Sequence, residues 1–367
     1  MIANDPNEDT LKVLKDIVLP FLQDGTIIPI ISNSFRIEQI FQADPELRES
    51  LKKEAKYYDD ASTLEQQLTK LWSATINYPM SDDRNLARVA QYLQIAKQDT
   101  ELPKIEYINL INDRLLKLSE NDPGYKDKVA ELRARIHQNQ RLIFSETAQK
   151  LEYPRGSPAG RPDPLELLAS LDLPIFITTS YSNFLEAKLE KLGKPARTQL
   201  CFWDGNKVGI NPEHLPDPKF NPTPQNPAVY HLFGMEPYMD TIVLSEDDYI
   251  NFLITAAEGF ASQDLYPSPL RLALPTARLI LIGYNLREWD FRALFRFLLM
   301  ARKTAKKKKK SIAIQLRPVL GNQDYQMNSE KYLEQFFDDH DFTVVWNNPD
   351  EFIYNLIDAK NAGKSQP

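Results

Sequence analysis

The sequence predicts an α/β protein built on a Rossmann-like, doubly wound parallel sheet, with a large helical insertion after the first strand. Short segments such as 26–31 and 278–283 are apolar on both faces, which is typical of strands buried inside a parallel sheet. Beyond residue 170, segments of this kind alternate with segments of helical spacing, as in βαβ units. Residues 38–150 have helical spacing almost throughout, so we expect them to form the insertion.

The individual elements follow from these patterns in chain order. The first strand is predicted at 26–31, and breaks at 77–84, 103 and 121–124 divide the insertion into about five helices. Later strands are predicted at 174–179, 228–233, 241–244, 278–283, 311–316 and 342–346. Helices are predicted at 183–192, after Ser245, at 290–301, at 330–337 and from 349 onward. We expect one domain over 1–367, with the insertion at 38–150 inside it.

Composition excludes several classes of protein. With 44 Lys+Arg against 51 Asp+Glu, the net charge of −7 argues against attraction of the whole molecule to nucleic acid or anionic lipid. The local exception is a basic run from Lys306 to Lys310, which a solvated loop also explains. The lone Cys201 allows no internal disulfide and no thiolate zinc site, so we expect a cytoplasmic protein without a metal. The apolar runs of the sequence are far shorter than a membrane span.

The twelve glycines form neither G-x-G-x-x-G nor G-x-x-x-x-G-K-[ST]. Conventional Rossmann dehydrogenases and P-loop NTPases are therefore poorly supported.

Polar residues follow several predicted strands at their carboxyl ends, where ligands of doubly wound proteins bind. Hydroxyl and amide groups there suit a polar ligand that contains phosphate. Each group alone is also explained as a turn or cap residue. Asp290, at the start of a helix, is either a cap or part of an anion site. The residues at or after the ends of the strands are Ser32, Asn33, Ser34 and Arg36; Thr178, Thr179 and Ser180; His231; and Gly283, Tyr284 and Asn285.

Four segments resemble, in order, motifs of the SIR2-like family, the bacterial relatives of sirtuins that bind and often cleave NAD. They are I-F-I-T-T-S-Y-S-N-F-L-E at 175–186, V-Y-H-L-F-G at 229–234, V-L-S-E-D-D-Y at 243–249 and I-G-Y-N-L-R-E-W-D at 282–290. The resemblance covers about residues 26–36 and 170–355.

The resemblance implies an NAD hydrolase, the effector of a bacterial antiphage defence system that depletes NAD on infection. It implies NAD as substrate, self-assembly, and a partner protein such as a HerA-like ATPase or a short Argonaute. An apolar face at 64–72 would provide surface for self-association. His231 is then the predicted catalytic base or ribose anchor, and Ser180 orients the reacting groups. The predicted NAD-binding residues are Ser32, Asn33, Ser34, Arg36, Thr178, Thr179, Gly283, Tyr284, Asn285 and Asp290.

The chain also departs from the family pattern. Residues 32–34 are Ser-Asn-Ser where the family has Gly-Ala-Gly, and Ser180 and Ser182 replace an asparagine and an aspartate. Phe233 fills the place of a histidine, while His231 lies two residues upstream, on the same face of a strand. These departures favour the alternative of a catalytically weak scaffold or sensor that binds NAD or ADP-ribose.

Two further activities have little support from the residues. A protein deacylase of the sirtuin type would need a four-cysteine zinc module, which this sequence lacks. A nuclease would need an acidic cluster at metal-binding spacing after a strand.

Overall fold

A computed structural model describes residues 6–364 of the chain, except 23, 55–62, 156–159, 204, 206, 259–266, 287, 304–308 and 317–322. In this part of the chain, seven parallel strands form one sheet in the order β3-β4-β2-β1-β5-β6-β7. The predicted doubly wound α/β fold is therefore confirmed. The strands are β1 (Ile27–Ile31), β2 (Ile175–Thr178), β3 (Arg197–Leu200), β4 (Ala228–His231), β5 (Arg278–Ile282), β6 (Ser311–Gln315) and β7 (Phe342–Trp346).

Helices precede β1, fill the long segment between β1 and β2, and connect the later strands. The amino-terminal ones are α1 (Pro6–Val13), a π-helical turn at Leu14–Val18 and α2 (Leu19–Leu22). Between β1 and β2 lie α3 (Asn33–Phe41), α4 (Pro45–Glu54), α5 (Leu64–Thr75), α6 (Leu86–Lys97), α7 (Leu102–Glu120), α8 (Lys126–His137), α9 (Phe144–Lys150) and α10 (Pro164–Ala169). After β2 come α11 (Phe184–Lys191), α12 (Glu246–Glu258), α13 (Ser268–Ala273), α14 (Trp289–Ala301), α15 (Gln323–Asp338) and α16 (Pro349–Lys364).

Helix starts follow the capping signals in the sequence. Ser245 accepts a hydrogen bond from Asp248 N at 3.2 Å, and the Asp248 carboxylate accepts one from Ser245 N at 3.0 Å, so the predicted cap of α12 is confirmed. The predicted break near Pro103 is also found: α6 ends at Lys97, and Pro103 occupies the first turn of α7, where its missing N–H costs nothing.

Two strand assignments were wrong. Residues 241–244 do not pair as a strand: they follow a 3-10 turn, and the Val243 carbonyl accepts a hydrogen bond from the Tyr181 hydroxyl at 2.9 Å instead of joining a ladder. The strand β3 was missed because its sequence, R-T-Q-L, lacks the apolar run of the other strands. It pairs along its whole length with β4.

Proline interrupts one seam of the sheet. Pro29 lies in the centre of β1, which has neighbours on both sides. The strand pairs with β5 from Ile27 to Ile31, but with β2 only at Ile30 and Ile31. Proline has no N–H to donate, which explains why the ladder with β2 begins beyond it.

The apolar face of α5 is not a free surface. Leu64, Leu68 and Trp72 are 4%, 0% and 2% exposed and belong to the main hydrophobic core. The expectation that this face is open to another copy is therefore wrong, and self-association stays a prediction without that support. No helix of the described residues has the length and apolar character needed to cross a membrane.

Gly234 makes a close approach that excludes a side chain. Its φ is +81°, and a Cβ there would stand 2.2 Å from the Thr241 carbonyl oxygen. We expect Gly234→Ala to lower the melting temperature by several degrees more than Gly209→Ala. Both substitutions place alanine at a positive φ, at a cost of about 1–2 kcal/mol each. Only Gly234 adds the clash, because a Cβ at Gly209 meets nothing within 4 Å. Equal thermal shifts for the two variants would contradict this account.

Candidate functional site

The strand order reverses between β1 and β5, and the crevice at their carboxyl ends is where doubly wound folds bind ligands. Ser32 ends β1 and caps α3, with its hydroxyl accepting a hydrogen bond from Phe35 N at 3.0 Å. The same hydroxyl donates to the Gly283 carbonyl oxygen at 2.6 Å. One side chain therefore joins the two strands at the switch point.

Gly283 lets the end of β5 come this close to α3. Its φ is +80°, and a Cβ would stand 2.6 Å from Phe35 Cβ and 2.7 Å from Ser32 Oγ. The close packing is between two parts of this chain. A side chain at this position would separate them.

The end of β2 meets the same edge. The hydroxyls of Thr179 and Tyr284 lie 3.1 Å apart, which links the residues after β2 and β5 across β1. Thr178 donates from Oγ1 to the Ile31 carbonyl at 3.0 Å and accepts from Ser180 N at 2.9 Å. The structure thus brings together the predicted residues Ser32, Thr178, Thr179, Gly283 and Tyr284.

Glu65, on the first turn of α5, enters this edge and was missed by the sequence analysis. Its carboxylate accepts hydrogen bonds from Asn33 Nδ2 at 2.9 Å, from the Ser34 hydroxyl, and from the Tyr107 hydroxyl at 3.2 Å. Burial raises the pKa of Glu65, and these three hydrogen bonds oppose the rise. The predicted binding residues Asn33 and Ser34 are therefore engaged by a carboxylate of the same chain.

Asp290 is a second carboxyl group at this edge. Burial raises its pKa well above the usual value, and the charges of Glu65 and Glu288 raise it further. Its Oδ1 accepts a hydrogen bond from Phe291 N at 2.6 Å, in the first turn of α14. The N-cap position of α14 belongs to Glu288, so Asp290 is not the cap residue.

His231 ends β4, in register with Thr178 at the end of β2. It is 0% exposed, with Nδ1 2.9 Å from the Ser180 carbonyl and Nε2 2.7 Å from Glu186 Oε1 on α11. Both ring nitrogens are therefore engaged in hydrogen bonds within the chain. The expectation of a partly exposed side chain is wrong, while the catalytic role of His231 stays a prediction.

The pKa of Glu186 depends on its contact with His231. Burial raises the pKa of its carboxyl, but the charge and hydrogen bond of His231, with a bond from Thr198 Oγ1 at 2.9 Å, hold it below the usual value. The arrangement is a buried ion pair between β4 and α11. Such a pair is sensitive to the loss of either partner.

Ser180 and Ser182 form a turn after β2. The Ser180 hydroxyl accepts a hydrogen bond from Ser182 N at 3.2 Å. Ser180 is 8% exposed. The Ser182 hydroxyl donates to the carboxylate of Glu236, which also accepts from Phe144 N at 2.5 Å. Burial raises the pKa of Glu236 to about 7. Ser182 is thus engaged with the loop after β4.

Arg36 does not join the cleft residues. Its guanidinium makes two 3.0 Å hydrogen bonds to the Asp163 carboxylate, the N-cap of α10, and a third of 2.8 Å to Gln39. It is 4% exposed, so this ion pair is buried. Asn285 lies in the turn after β5, where its carbonyl accepts from Glu288 N at 3.1 Å.

The basic run is only partly described. Lys306 to Lys308 lie outside the described residues. Lys310 pairs with Asp338 at 3.2 Å. Among the residues that the structure describes, no group of three or more His, Cys, Asp or Glu is arranged to hold a metal ion.

A model of the SIR2-like domain family matches residues 174–338, which include β2 to β6 and all of α15. This part of the chain is therefore similar to SIR2-like domains. The family includes NAD-dependent enzymes, so the match supports an NAD-related function. The match does not extend to β1 or to the helices α3 to α10. The comparison with curated proteins gave no match.

The contacts of Glu65 at the cleft edge come from outside the matched range. Glu65 and Tyr107 belong to helices between β1 and β2, far from Asn33 and Ser34 in sequence. The local sequence bears on Glu65 only through the capping box of α5, in which Thr63 and Gln66 exchange hydrogen bonds. This capping box fixes where the first turn of α5 begins. It does not indicate what that turn contacts.

We expect His231→Ala to destabilise the protein by about 3 kcal/mol or more, because it leaves Glu186 buried without its partner. Thermal melts and chemical denaturation measure the loss. The double variant His231→Ala/Glu186→Gln should recover part of it, since the unpaired charge is removed. A His231→Ala protein as stable as the wild type would contradict the ion-pair account.

A second prediction concerns Glu38, whose Oε1 accepts hydrogen bonds from Leu64 N at 2.6 Å and Glu65 N at 3.3 Å. Burial raises its pKa from 4.5 to about 8. Between these values the folded protein retains a proton that the unfolded chain releases, so Glu38 makes stability fall as pH rises. Glu38→Gln keeps an acceptor and removes this dependence.

The melting temperature of Glu38→Gln, relative to wild type, should therefore increase from about pH 5 to about pH 8.5. Other buried carboxyl groups contribute equally to both proteins and cancel in the difference. A difference that stays flat over this interval would show that Glu38 is ionised in the folded protein throughout.

Proposed function

We propose that this chain binds NAD at the carboxyl ends of β1, β2 and β5 and hydrolyses the bond between nicotinamide and ribose. One observation supports the proposal most strongly. Groups that follow three strands meet within hydrogen-bond distance at the switch point, through Ser32 with Gly283 and Thr179 with Tyr284. This is the ligand edge of a doubly wound sheet, in a chain with a segment similar to SIR2-like domains.

In the reaction, the bond from ribose C1′ to the nicotinamide nitrogen breaks, and nicotinamide leaves with the bonding electron pair. Water adds to C1′ and loses a proton, which gives ADP-ribose. Positive charge develops on the ribose in the transition state, and a nearby carboxylate stabilises it. Asp290 is suited to this, because a cation in the cleft favours its ionised form against the burial that raises its pKa.

The wider role in antiphage defence rests on the sequence resemblance. We propose NAD depletion on infection as the outcome, with a HerA-like ATPase or a short Argonaute as partner and self-assembly of this chain.

The burial of His231 favours a second candidate function. A histidine whose two nitrogens are both bonded, and which is 0% exposed, is poorly placed to accept a proton from water. A scaffold or sensor that binds NAD or ADP-ribose without turning it over needs no base. This alternative requires the same cleft and differs only in the absence of nicotinamide release.

Calorimetric titration with NAD and ADP-ribose, followed by an assay of nicotinamide release with and without candidate partner, separates these functions. Binding with release supports the hydrolase, and binding without release under either condition supports the scaffold.

Ser180→Ala should lower the rate of release, and Ser180→Asn should raise it. Ser170→Ala is the matched control, since its hydroxyl donates to Leu167 O within α10 and its turn. No response to millimolar NAD or ADP-ribose would contradict both functions.

A further inference from the structure

The first turn of α5 lies against the amino terminus of α3. Asn33 and Ser34 are the first two residues of α3, and both donate side-chain hydrogen bonds to the Glu65 carboxylate. Tyr107 of α7 donates a third at 3.2 Å. The carboxylate is therefore fixed by three donors at the start of α3.

This position is where an anion is most favoured. The first N–H groups of a helix lack partners within the helix, and its dipole places partial positive charge there. In doubly wound folds, the phosphate of a bound nucleotide lies at the amino terminus of the helix after the first strand. In this structure the Glu65 carboxylate provides negative charge at that place.

Two further contacts hold the turn in position. On one side, Glu38 of α3 accepts hydrogen bonds from Leu64 N and Glu65 N. On the other side, Gln66 Nε2 donates to Glu288 Oε1 at 2.5 Å, at the N-cap of α14. The turn therefore connects the two helices that follow β1 and β5, the strands on either side of the switch point.

The rest of α5 is anchored by apolar burial. Leu68 and Trp72 are 0% and 2% exposed, and the Trp72 ring lies 5.9 Å from that of Tyr107. At the same edge of the sheet, Thr179 and Tyr284 are 0% and 4% exposed. A ligand phosphate at the start of α3 requires the Glu65 carboxylate to move away from Asn33 and Ser34.

We propose that the first turn of α5 is an internal latch, which closes the phosphate end of the cleft with the Glu65 carboxylate in place of a ligand phosphate. This inference rests on the proposed function and adds its regulation. The diphosphate of NAD and the Glu65 carboxylate repel each other, so binding requires Glu65 to leave Asn33 and Ser34. A factor that displaces α5 therefore increases affinity for NAD.

The test compares Glu65→Ala and Glu65→Gln with the wild type, using ADP-ribose and inorganic pyrophosphate as calorimetric probes. Loss of the carboxylate should lower both dissociation constants by about tenfold or more. The glutamine variant keeps the shape of the side chain and one accepting oxygen, so it serves if alanine impairs folding. Glu106→Gln is the matched control: it changes a carboxylate of α7 that contacts Trp72 of α5 at 3.4 Å, and it should leave both constants unchanged.

Each outcome decides between the two proposals. Equal ADP-ribose affinity in the wild type and both Glu65 variants would overturn the latch and leave the proposed function intact. Pyrophosphate binding gained in the Glu65 variants, without binding of ADP-ribose or NAD to any protein, would support the latch and overturn the proposed function. If no protein binds any probe, both are overturned.

Discussion

The contact between the start of α3 and the end of β5 is the constraint on which the site depends. Ser32 caps α3 and donates to the Gly283 carbonyl, and Gly283 has no room for a Cβ between Ser32 and Phe35. Because this contact holds β1 and β5 in register at their carboxyl ends, the residues after both strands have fixed positions. The Thr179–Tyr284 contact adds the end of β2 to the same assembly. The cleft is thus defined by packing within the chain.

Electrostatics at this edge differ from those of an open phosphate site. The two carboxyl groups there, Glu65 and Asp290, both have raised pKa values, chiefly because they are buried. Arg36, predicted to bind NAD, is bound to Asp163. The described conformation is consequently adapted to contacts within the chain, and its own carboxylate satisfies the donors of Asn33 and Ser34.

Much of the fold follows from local sequence. Apolar runs on both faces identified β1, β2 and β5, and polar residues after them identified the ligand edge, because the carboxyl ends of parallel strands share one side of a sheet. The same criterion assigned a strand to 241–244, since four apolar residues do not distinguish a strand from a buried irregular segment. Partners distant in sequence were not predictable. Glu65 contacts Asn33 and Ser34, which precede it by more than thirty positions. His231 and Glu186 lie on different elements, and only the folded chain brings them together.

Pro29 has a mechanical consequence for the molecule. The strands β2, β3 and β4 are joined to the remainder of the sheet through β1, and beyond Pro29 this seam contains only the pairs Ile30–Ile177 and Ile31–Thr178. The opposite seam, between β1 and β5, is paired over five residues. The two parts of the sheet are therefore fastened to each other chiefly at the carboxyl edge. A force that separates them acts first on Thr178 and Ile31, directly beneath the cleft.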